Sequence, residues 1–213
     1  SQVWHDKENF GKCAWKRIRC VEPWSTRKLE FPQLLTATEL SLHLMISMAA
    51  IATAEACDAN AALLSNGQLR VLHPIFKVYG QSRSFSGPIV TVKVFEDNVL
   101  LREVLECKGE GRVLVVDGGG SMNCALVGGN LAQLAQNMGW TGIVVNGCIR
   151  DVDEINACDI GVRALASTPV KSNKKGAGDK HVALHIAGTT IHDGEWLYAD
   201  SDGILVSRSE LSI

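Results

Sequence analysis

"RVLVVDGGGSMNCALVGGNLAQLAQNMGWTGIVVNGCI", residues 112–149, decides the fold of this chain. Its first and last segments are apolar, β-branched runs with the length of buried strands, and "MNCALVGG" between them predicts another strand. The segment "NLAQLAQNMGW" predicts a helix, because its apolar side chains recur at helical spacing on one face: Leu131, Leu134, Ala135 and Met138. A chain that alternates strands and helices in this way predicts an α/β domain with a layered sheet and helices.

The same alternation continues on both sides of this stretch. Helices are predicted for three further segments: "MAAIATAEACDANAALLS" (48–65), "NVLLREVLECKGEG" (98–111) and "RDVDEINACD" (150–159). Strands are predicted for five: "PIFKVYG" (74–80), "GPIVTVKVF" (87–95), "GVRALAS" (161–167), "VALHIAGTTIH" (182–192) and "GILVS" (203–207). The basic segment "KSNKKGAGDK" (171–180) is expected to be a mobile loop.

Composition excludes several classes of protein. The chain has 213 residues, 46% of them hydrophobic, and a formal net charge of −2, which is typical of a globular domain. This near-neutral balance argues against a nucleic-acid partner and against a polybasic membrane patch. No stretch has the 18 or more uncharged apolar residues of a membrane span. The cysteines are odd in number and form no Cys-x-x-Cys pair, so we expect reduced thiols in a cytoplasmic protein: Cys13, Cys20, Cys57, Cys107, Cys124, Cys148 and Cys158.

Residues 1–47 differ from the remainder, since they hold three of the five tryptophans and show no sustained period. We interpret them as a poorly ordered extension that precedes a domain of residues 48–213. An organelle transit peptide is an alternative, although this segment is more acidic than such peptides usually are.

Two strand-to-helix junctions could carry chemistry. At the first, Gly128 and Gly129 allow close approach of a ligand, and the N–H groups of the following helix could bind a carboxylate or phosphate. The alternative for this junction is a tight turn. It is neither a P-loop nor a dinucleotide-binding fingerprint, because the residues of both motifs are absent.

The second junction is "IRDVDE", where Arg150 and Asp151 follow a strand. Adjacent side chains point in different directions on a strand or helix, so a salt bridge between these two is a poor explanation. Arginine can clamp a carboxylate, aspartate can hold a hard divalent ion, and Glu154 would return to the side of Asp151 on a short helix. The alternative is a set of solvated carboxylates at a helix start.

For the other polar residues, the sequence favours structural roles. His181 and His185 lie on one side of a strand without a third metal ligand at a recognisable spacing. Cys148 lies beside the second junction, but no partner base is evident. Three further residues could reach a site, although structural or solvated positions are the default for them: Asp58, Arg83 and Asp117.

The spacing of the two junctions carries a family resemblance. Gly129 is followed after twenty residues by Arg150-Asp151 and after two more by Glu154. This pattern resembles the G-x20-R-D-x2-E/D signature of metal-dependent 4-hydroxy-4-methyl-2-oxoglutarate aldolases. Residues 48–213 are also similar to the family of regulator of ribonuclease E activity A, the RraA-like proteins, and to its plant members in particular. The similarity is carried by "ATAEACDAN", "VVDGGGSMNCALVGGNLAQLAQNMGWTGIVVNGCIRDVDEI", "DIGVRALAS" and "GEWLYADSDGILVS".

The resemblance implies a β/β/α sandwich of the swivelling-domain kind and a homotrimer. It implies a substrate that is a small 2-oxo acid, whose carboxylate would be received by the backbone of Gly128, Gly129, Asn130 and Leu131. Arg150 would contact the substrate, and Asp151 would bind a divalent metal, with Mg²⁺ expected and Mn²⁺ as an alternative. Glu154 would hold a water molecule of that metal. The reaction implied is cleavage to two pyruvates, and oxaloacetate decarboxylation is expected as a side activity because it passes through the same enolate.

The resemblance leaves a non-catalytic alternative open. Family regulators bind ribonuclease E through protein contacts, and some lack the aspartate that is present here as Asp151. Its presence favours an enzyme. A methyltransferase is not supported, because the chain has no glycine-rich cofactor loop.

Overall fold

The computed structural model describes residues 52–212, so the predicted extension of residues 1–47 lies outside the described residues. Within this range the chain forms five helices: α1 (Thr53–Ala59), α2 (Ala61–Ser65), α3 (Val99–Leu105), α4 (Gly129–Asn137) and α5 (Val152–Asn156). It also forms twelve strands: β1 (Leu69–Val71), β2 (Lys77–Tyr79), β3 (Phe85–Val94), β4 (Val113–Asp117), β5 (Ala125–Val127), β6 (Gly142–Ile149), β7 (Gly161–Ser167), β8 (Gly178–Lys180), β9 (Leu184–Ile186), β10 (Thr189–Ile191), β11 (Trp196–Ala199) and β12 (Ile204–Ser207).

A ten-stranded mixed sheet forms the centre of the domain. Its main path runs β1-β12-β11-β3-β4-β6-β7-β2, with β5 paired to β6 and β8 paired to β3. Strands β3, β4, β6 and β7 are parallel neighbours, and β5 is also parallel to β6. The carboxyl ends of these five strands therefore meet at one edge of the sheet, which is where α/β sheets usually bind ligands.

The two faces of the sheet bury different partners, as strand β4 illustrates. Leu114 and Val116 belong to a core shared with helices α3, α4 and α5. Val113 and Val115 point to the opposite face and pack against the hairpin formed by β9 and β10. This alternation follows from the period of two along a strand. The result is a hairpin layer, a sheet layer and a helix layer, which confirms the predicted α/β fold with β/β/α layers.

The described residues include no helix that is long and apolar enough to cross a membrane.

Several predicted elements differ in extent from those observed. The predicted helix of residues 48–65 is two helices, because the chain breaks at Asn60, whose side-chain amide donates to the carbonyl of Ala56 over 2.9 Å. Helix α3 ends at Leu105, before the glycine-rich end of its predicted segment. Three short strands have no counterpart among the predictions: β1, β8 and β11.

The prediction of a loop at residues 171–180 was wrong for Gly178–Lys180, which form strand β8. Gly178–Lys180 pairs with β3, and the buried carboxylate of Asp97 accepts the backbone N–H groups of Lys175 and Gly176. The basic side chains face solvent, so composition suggested a loop. The backbone contacts that hold the segment come from residues far away in the sequence.

Asp97 should make this anchoring pH-dependent. Burial alone would raise the pKa of its carboxyl, but the N–H groups of Val99, Lys175 and Gly176 outweigh burial and lower this pKa below its ordinary value. A pKa lowered by folding contributes stability above the unfolded-state value of about 3.9, and that stability is lost as pH falls through the folded-state pKa. We expect Asp97→Asn to cost about 1 kcal/mol of unfolding free energy at pH 7, and less below pH ~4.

Urea denaturation at both pH values measures this effect. Asp179→Asn is the matched control, because Asp179 is exposed on β8. An Asp97→Asn cost that is the same at both pH values would contradict the prediction.

Candidate active site

The glycine junction, at Gly128 and Gly129, and the arginine–aspartate junction, at Arg150 and Asp151, are neighbours in space. Strand β5 lies beside β6 in parallel, so the turn that follows β5 lies next to the turn that follows β6. The backbone N–H of Arg150 donates to the carbonyl of Val127 over 2.9 Å, which extends this pairing to the last residue before Gly128. Residues 22 positions apart in the sequence are thereby brought into contact, as the hydrogen bond from the N–H of Gly129 to Asp151 Oδ2 shows at 3.2 Å.

Both glycines are needed for this contact because side chains occupy the space above them. A Cβ atom on Gly128 would lie 2.7 Å from Asp151 Oδ2, and one on Gly129 would lie 1.9 Å from Glu154 Oε2. Neither glycine has a positive φ, so close approach and not backbone conformation explains their presence. The structure therefore brings Asp151 and Glu154 against the same turn.

The expectation that Arg150 and Asp151 would not pair was wrong. Arg150 Nε lies 3.3 Å from Asp151 Oδ2, with the two side chains 40% and 35% exposed. The reason is the backbone of Asp151, which has φ 55° and ψ 49° and so belongs to neither a strand nor a right-handed helix. This left-handed conformation, immediately before α5, turns the two adjacent side chains toward each other.

These residues form one wall of a cleft of about 260 Å³. The cleft is lined by Arg150, Asp151, Val152, Ser167, Thr168 and Pro169. Ser167 ends β7, the parallel neighbour of β6, and Thr168 and Pro169 follow it. The place of these three residues in the cleft was not predicted from the sequence. The available signal was their position, since "STP" directly follows a buried parallel strand.

Unpaired polar atoms line this cleft. Arg150 and Asp151 contact each other through Nε and Oδ2, and within the described residues no hydrogen bond is formed by Arg150 Nη1, Arg150 Nη2, Asp151 Oδ1 or Thr168 Oγ1. The guanidinium edge is a donor pair that suits a carboxylate. The cleft thus places hydrogen-bond donors that could bind an anion beside a carboxylate oxygen that could bind a cation.

The donor set fits a hard divalent cation that keeps most of its water. No group of three or more His, Cys, Asp or Glu side chains that could hold a metal occurs within residues 52–212. A metal in this cleft would therefore have Asp151 Oδ1 as its protein ligand, and water and substrate as the others. Mg²⁺ commonly binds in this way, through one or two carboxylates.

The remaining candidate residues lie outside the cleft. His181 and His185 contact Asp193 Oδ2 at 3.0 Å and Thr190 Oγ1 at 3.2 Å, respectively. Asp117 stabilises the glycine turn, since its Oδ1 accepts the N–H of Gly119 over 2.9 Å.

Cys148 is buried near the end of β6. Its Sγ lies 3.2 Å from Met122 Sδ, and burial raises the pKa of the thiol. A raised thiol pKa disfavours the thiolate, so these contacts favour a structural role. Asp58 and Arg83 are exposed and do not line the cleft.

The family model described as "RraA-like: Aldolase/RraA" matches residues 53–206. The chain belongs to the RraA-like family. This assignment agrees with the resemblance seen in the sequence and with the three-layer fold.

RraA-like relatives from plants and bacteria are highly similar to the chain. A protein of Arabidopsis thaliana named "Putative 4-hydroxy-4-methyl-2-oxoglutarate aldolase 3" is 76% identical over 166 residues, which are 78% of this chain and 100% of the relative. A protein of Cupriavidus necator with the same name, without a number, is 54% identical over 159 residues, which are 75% of this chain and 96% of the relative.

Two solved structures share the fold but carry other names. One is named S-adenosylmethionine:2-dimethylmenaquinone methyltransferase, from Geobacillus kaustophilus; it has a TM-score of 0.72 and 47% identity, and covers 76% of this chain and 97% of its own. The other, the RNA-processing inhibitor RraA from Thermus thermophilis, has a TM-score of 0.72 and 42% identity, and covers 76% of this chain and 95% of its own. The names attached to this one fold therefore include an aldolase, a methyltransferase and an inhibitor of RNA processing.

Proposed function

We propose that this RraA-like protein is a metal-dependent, class II aldolase that cleaves 4-hydroxy-4-methyl-2-oxoglutarate into two pyruvates. Oxaloacetate decarboxylation would be its secondary activity, and a cytoplasmic homotrimer its working form. One observation carries the proposal: Gly129 lies against Asp151 and Glu154 beside a cleft lined by Arg150 and Asp151, and that cleft retains unpaired donors and an unpaired carboxylate oxygen. The names of the relatives support the same activity.

Substrate binding would use the first junction and Arg150. The backbone of Gly128, Gly129, Asn130 and Leu131 would receive the carboxylate of the 2-oxo acid. The N–H groups of Gly129 and Leu131, which donate to Asp151 Oδ2 and to the Gly128 carbonyl, would exchange these partners for the substrate. Arg150 would contact the same half through its free Nη atoms and hold it in one orientation. Fixing the orientation in this way lowers the entropy cost of reaching the transition state.

Cleavage breaks the bond between C3 and C4, and the electron pair remains on C3 of the 2-oxo half. Asp151 would hold Mg²⁺ or Mn²⁺ beside that half. When bound, the ion supplies a Lewis acid that stabilises negative charge developing on the 2-oxo oxygen. Glu154, which packs on Gly129, would accept the C4 hydroxyl proton through a water molecule, so that C4 becomes the carbonyl carbon of the second pyruvate. Return of that proton to C3 would complete the first pyruvate.

Oxaloacetate has the same 2-oxo acid half. Loss of CO₂ leaves an electron pair on the same carbon, so the same residues would stabilise it, and a proton from water would then complete pyruvate. No hydroxyl proton has to be removed in this reaction, and decarboxylation should therefore depend less on Glu154 than aldol cleavage does.

A second candidate function is a non-catalytic regulator that binds a ribonuclease E-type protein. The similarity to the structure named RNA-processing inhibitor favours it. The regulator would need an exposed contact surface but no metal. Metal dependence of pyruvate release therefore distinguishes the two candidates.

Pyruvate release from both substrates tests the proposal directly. We expect turnover of both with Mg²⁺ and loss of turnover in EDTA, with recovery when Mg²⁺ is restored, because the Lewis acid contributes several kcal/mol to the transition state. A folded, metal-supplied protein that releases no pyruvate from either compound would instead support the regulator.

A further inference from the structure

The strand order separates the two halves of the cleft. Strand β6 lies between β5 and β7, so Gly128 and Thr168 lie on opposite sides of Arg150. On the proposed function, the 2-oxo acid half of the substrate occupies the β5 side, against the start of α4. The half that leaves would then extend toward the residues that follow β7.

Thr168 is held in place on this second side. Its backbone N–H donates to the carbonyl of Ile149 over 2.8 Å, which continues the pairing of β6 with β7 beyond Ser167. Its side chain is half-buried, and its hydroxyl makes no hydrogen bond within the described residues. A half-buried hydroxyl without a partner at the wall of a cleft is available to a ligand.

The neighbours of Thr168 indicate which chemical groups a ligand at this position would carry. Burial raises the pKa of the Tyr79 phenol and the neighbouring Ser167 side chain opposes that shift, so Ser167 faces a protein group. Val152 and Pro169 line the same cleft and offer apolar contact. A hydroxyl without a protein partner, next to apolar side chains, suits a carbon that carries both a carboxylate and a methyl group.

We propose that Thr168 is a specificity-determining residue, whose hydroxyl donates to the carboxylate on C4 of the leaving half while Val152 and Pro169 contact the C4 methyl group. The preferred substrates would then be 4-methyl-4-hydroxy-2-oxo dicarboxylates. Oxaloacetate ends at the C4 carboxylate that is lost as CO₂, and it has neither the C4 methyl group nor a carboxylate beyond C4. It should therefore gain little from Thr168. This inference rests on the proposed aldolase function.

Thr168→Val, which keeps the shape of the side chain and removes the hydroxyl, tests the inference. We expect kcat/KM for 4-hydroxy-4-methyl-2-oxoglutarate to fall about tenfold or more, because a hydrogen bond to a charged group is lost, mostly through a higher KM. For oxaloacetate we expect less than a twofold change. Thr168→Ser should restore most of the loss, and Thr190→Val, on the exposed face of the β9–β10 hairpin, should leave both substrates unchanged.

The ratio of the two kcat/KM values separates the outcomes. An equal loss for both substrates would show that Thr168 acts only on the structure of the cleft, and no loss for either would show that it does not contact substrate; both results overturn the inference while leaving the aldolase intact. A wild-type protein without turnover of either substrate would refute the proposed function, and the inference would fall with it.

Discussion

Asp151→Ala is expected to lower kcat for pyruvate release by about three orders of magnitude while the protein stays folded. Among residues 52–212, Asp151 would supply the protein oxygen for the metal, so its removal takes away a Lewis acid that contributes several kcal/mol, and each 1.4 kcal/mol is about tenfold in rate. Stability should change little, because the side chain is 35% exposed and its contact with Arg150 is of the exposed kind that contributes at most about 1 kcal/mol. Steady-state kinetics and urea denaturation measure the two effects.

Asp153→Ala is the matched control for this experiment. Asp153 is exposed in the first turn of α5, so its removal changes the net charge by the same amount near the same cleft. We expect it to retain most of the activity. Metal binding gives a further readout, since calorimetric titration with Mn²⁺ should show weaker binding by Asp151→Ala but not by Asp153→Ala. Comparable losses in both variants would show that general electrostatics, and not a ligand at Asp151, controls the rate.

The layered fold could be predicted because its signals are local. The segments that form β4 and β6 are apolar on both faces, as strands buried between two layers must be. The spacing of Leu131 and Ala135 indicates the buried face of helix α4. Strand β8 could not be predicted in this way. All three of its residues are exposed, and only pairing with β3 makes them a strand.

The candidate site was predictable in its residues but not in its geometry. Glycine and the arginine–aspartate pair could be found from their spacing, whereas the contact between Arg150 and Asp151 depends on a positive φ that an aspartate seldom adopts. Thr168 was missed for a different reason. Its place in the cleft follows from the parallel pairing of β6 with β7, which no feature of a single strand reveals.

Gly129→Ala is expected to lower kcat for aldol cleavage about a hundredfold. The new Cβ would lie 1.9 Å from Glu154 Oε2 and 2.7 Å from Glu154 Cβ, so the carboxylate must leave its position. Displacing a group that accepts the substrate proton lowers kcat at least about a hundredfold. The contact with Glu154 Cβ cannot be relieved by rotating the end of the side chain, so overpacking should also cost about 1–3 kcal/mol of unfolding free energy. Gly203→Ala is the control, because a Cβ there meets no atom within 4 Å.

A double-mutant cycle with Glu154→Ala shows whether the two residues act as one unit. If Gly129→Ala impairs catalysis by displacing the Glu154 carboxylate, then that carboxylate can be lost only once, and the double variant should be no slower than Glu154→Ala alone. The double variant should also recover part of the lost stability, because the 1.9 Å contact disappears while the 2.7 Å contact remains. Losses that multiply would mean that Gly129 contributes separately, through its N–H on Asp151 Oδ2. Decarboxylation of oxaloacetate, which requires no proton transfer from a hydroxyl, should lose less in every variant of the cycle.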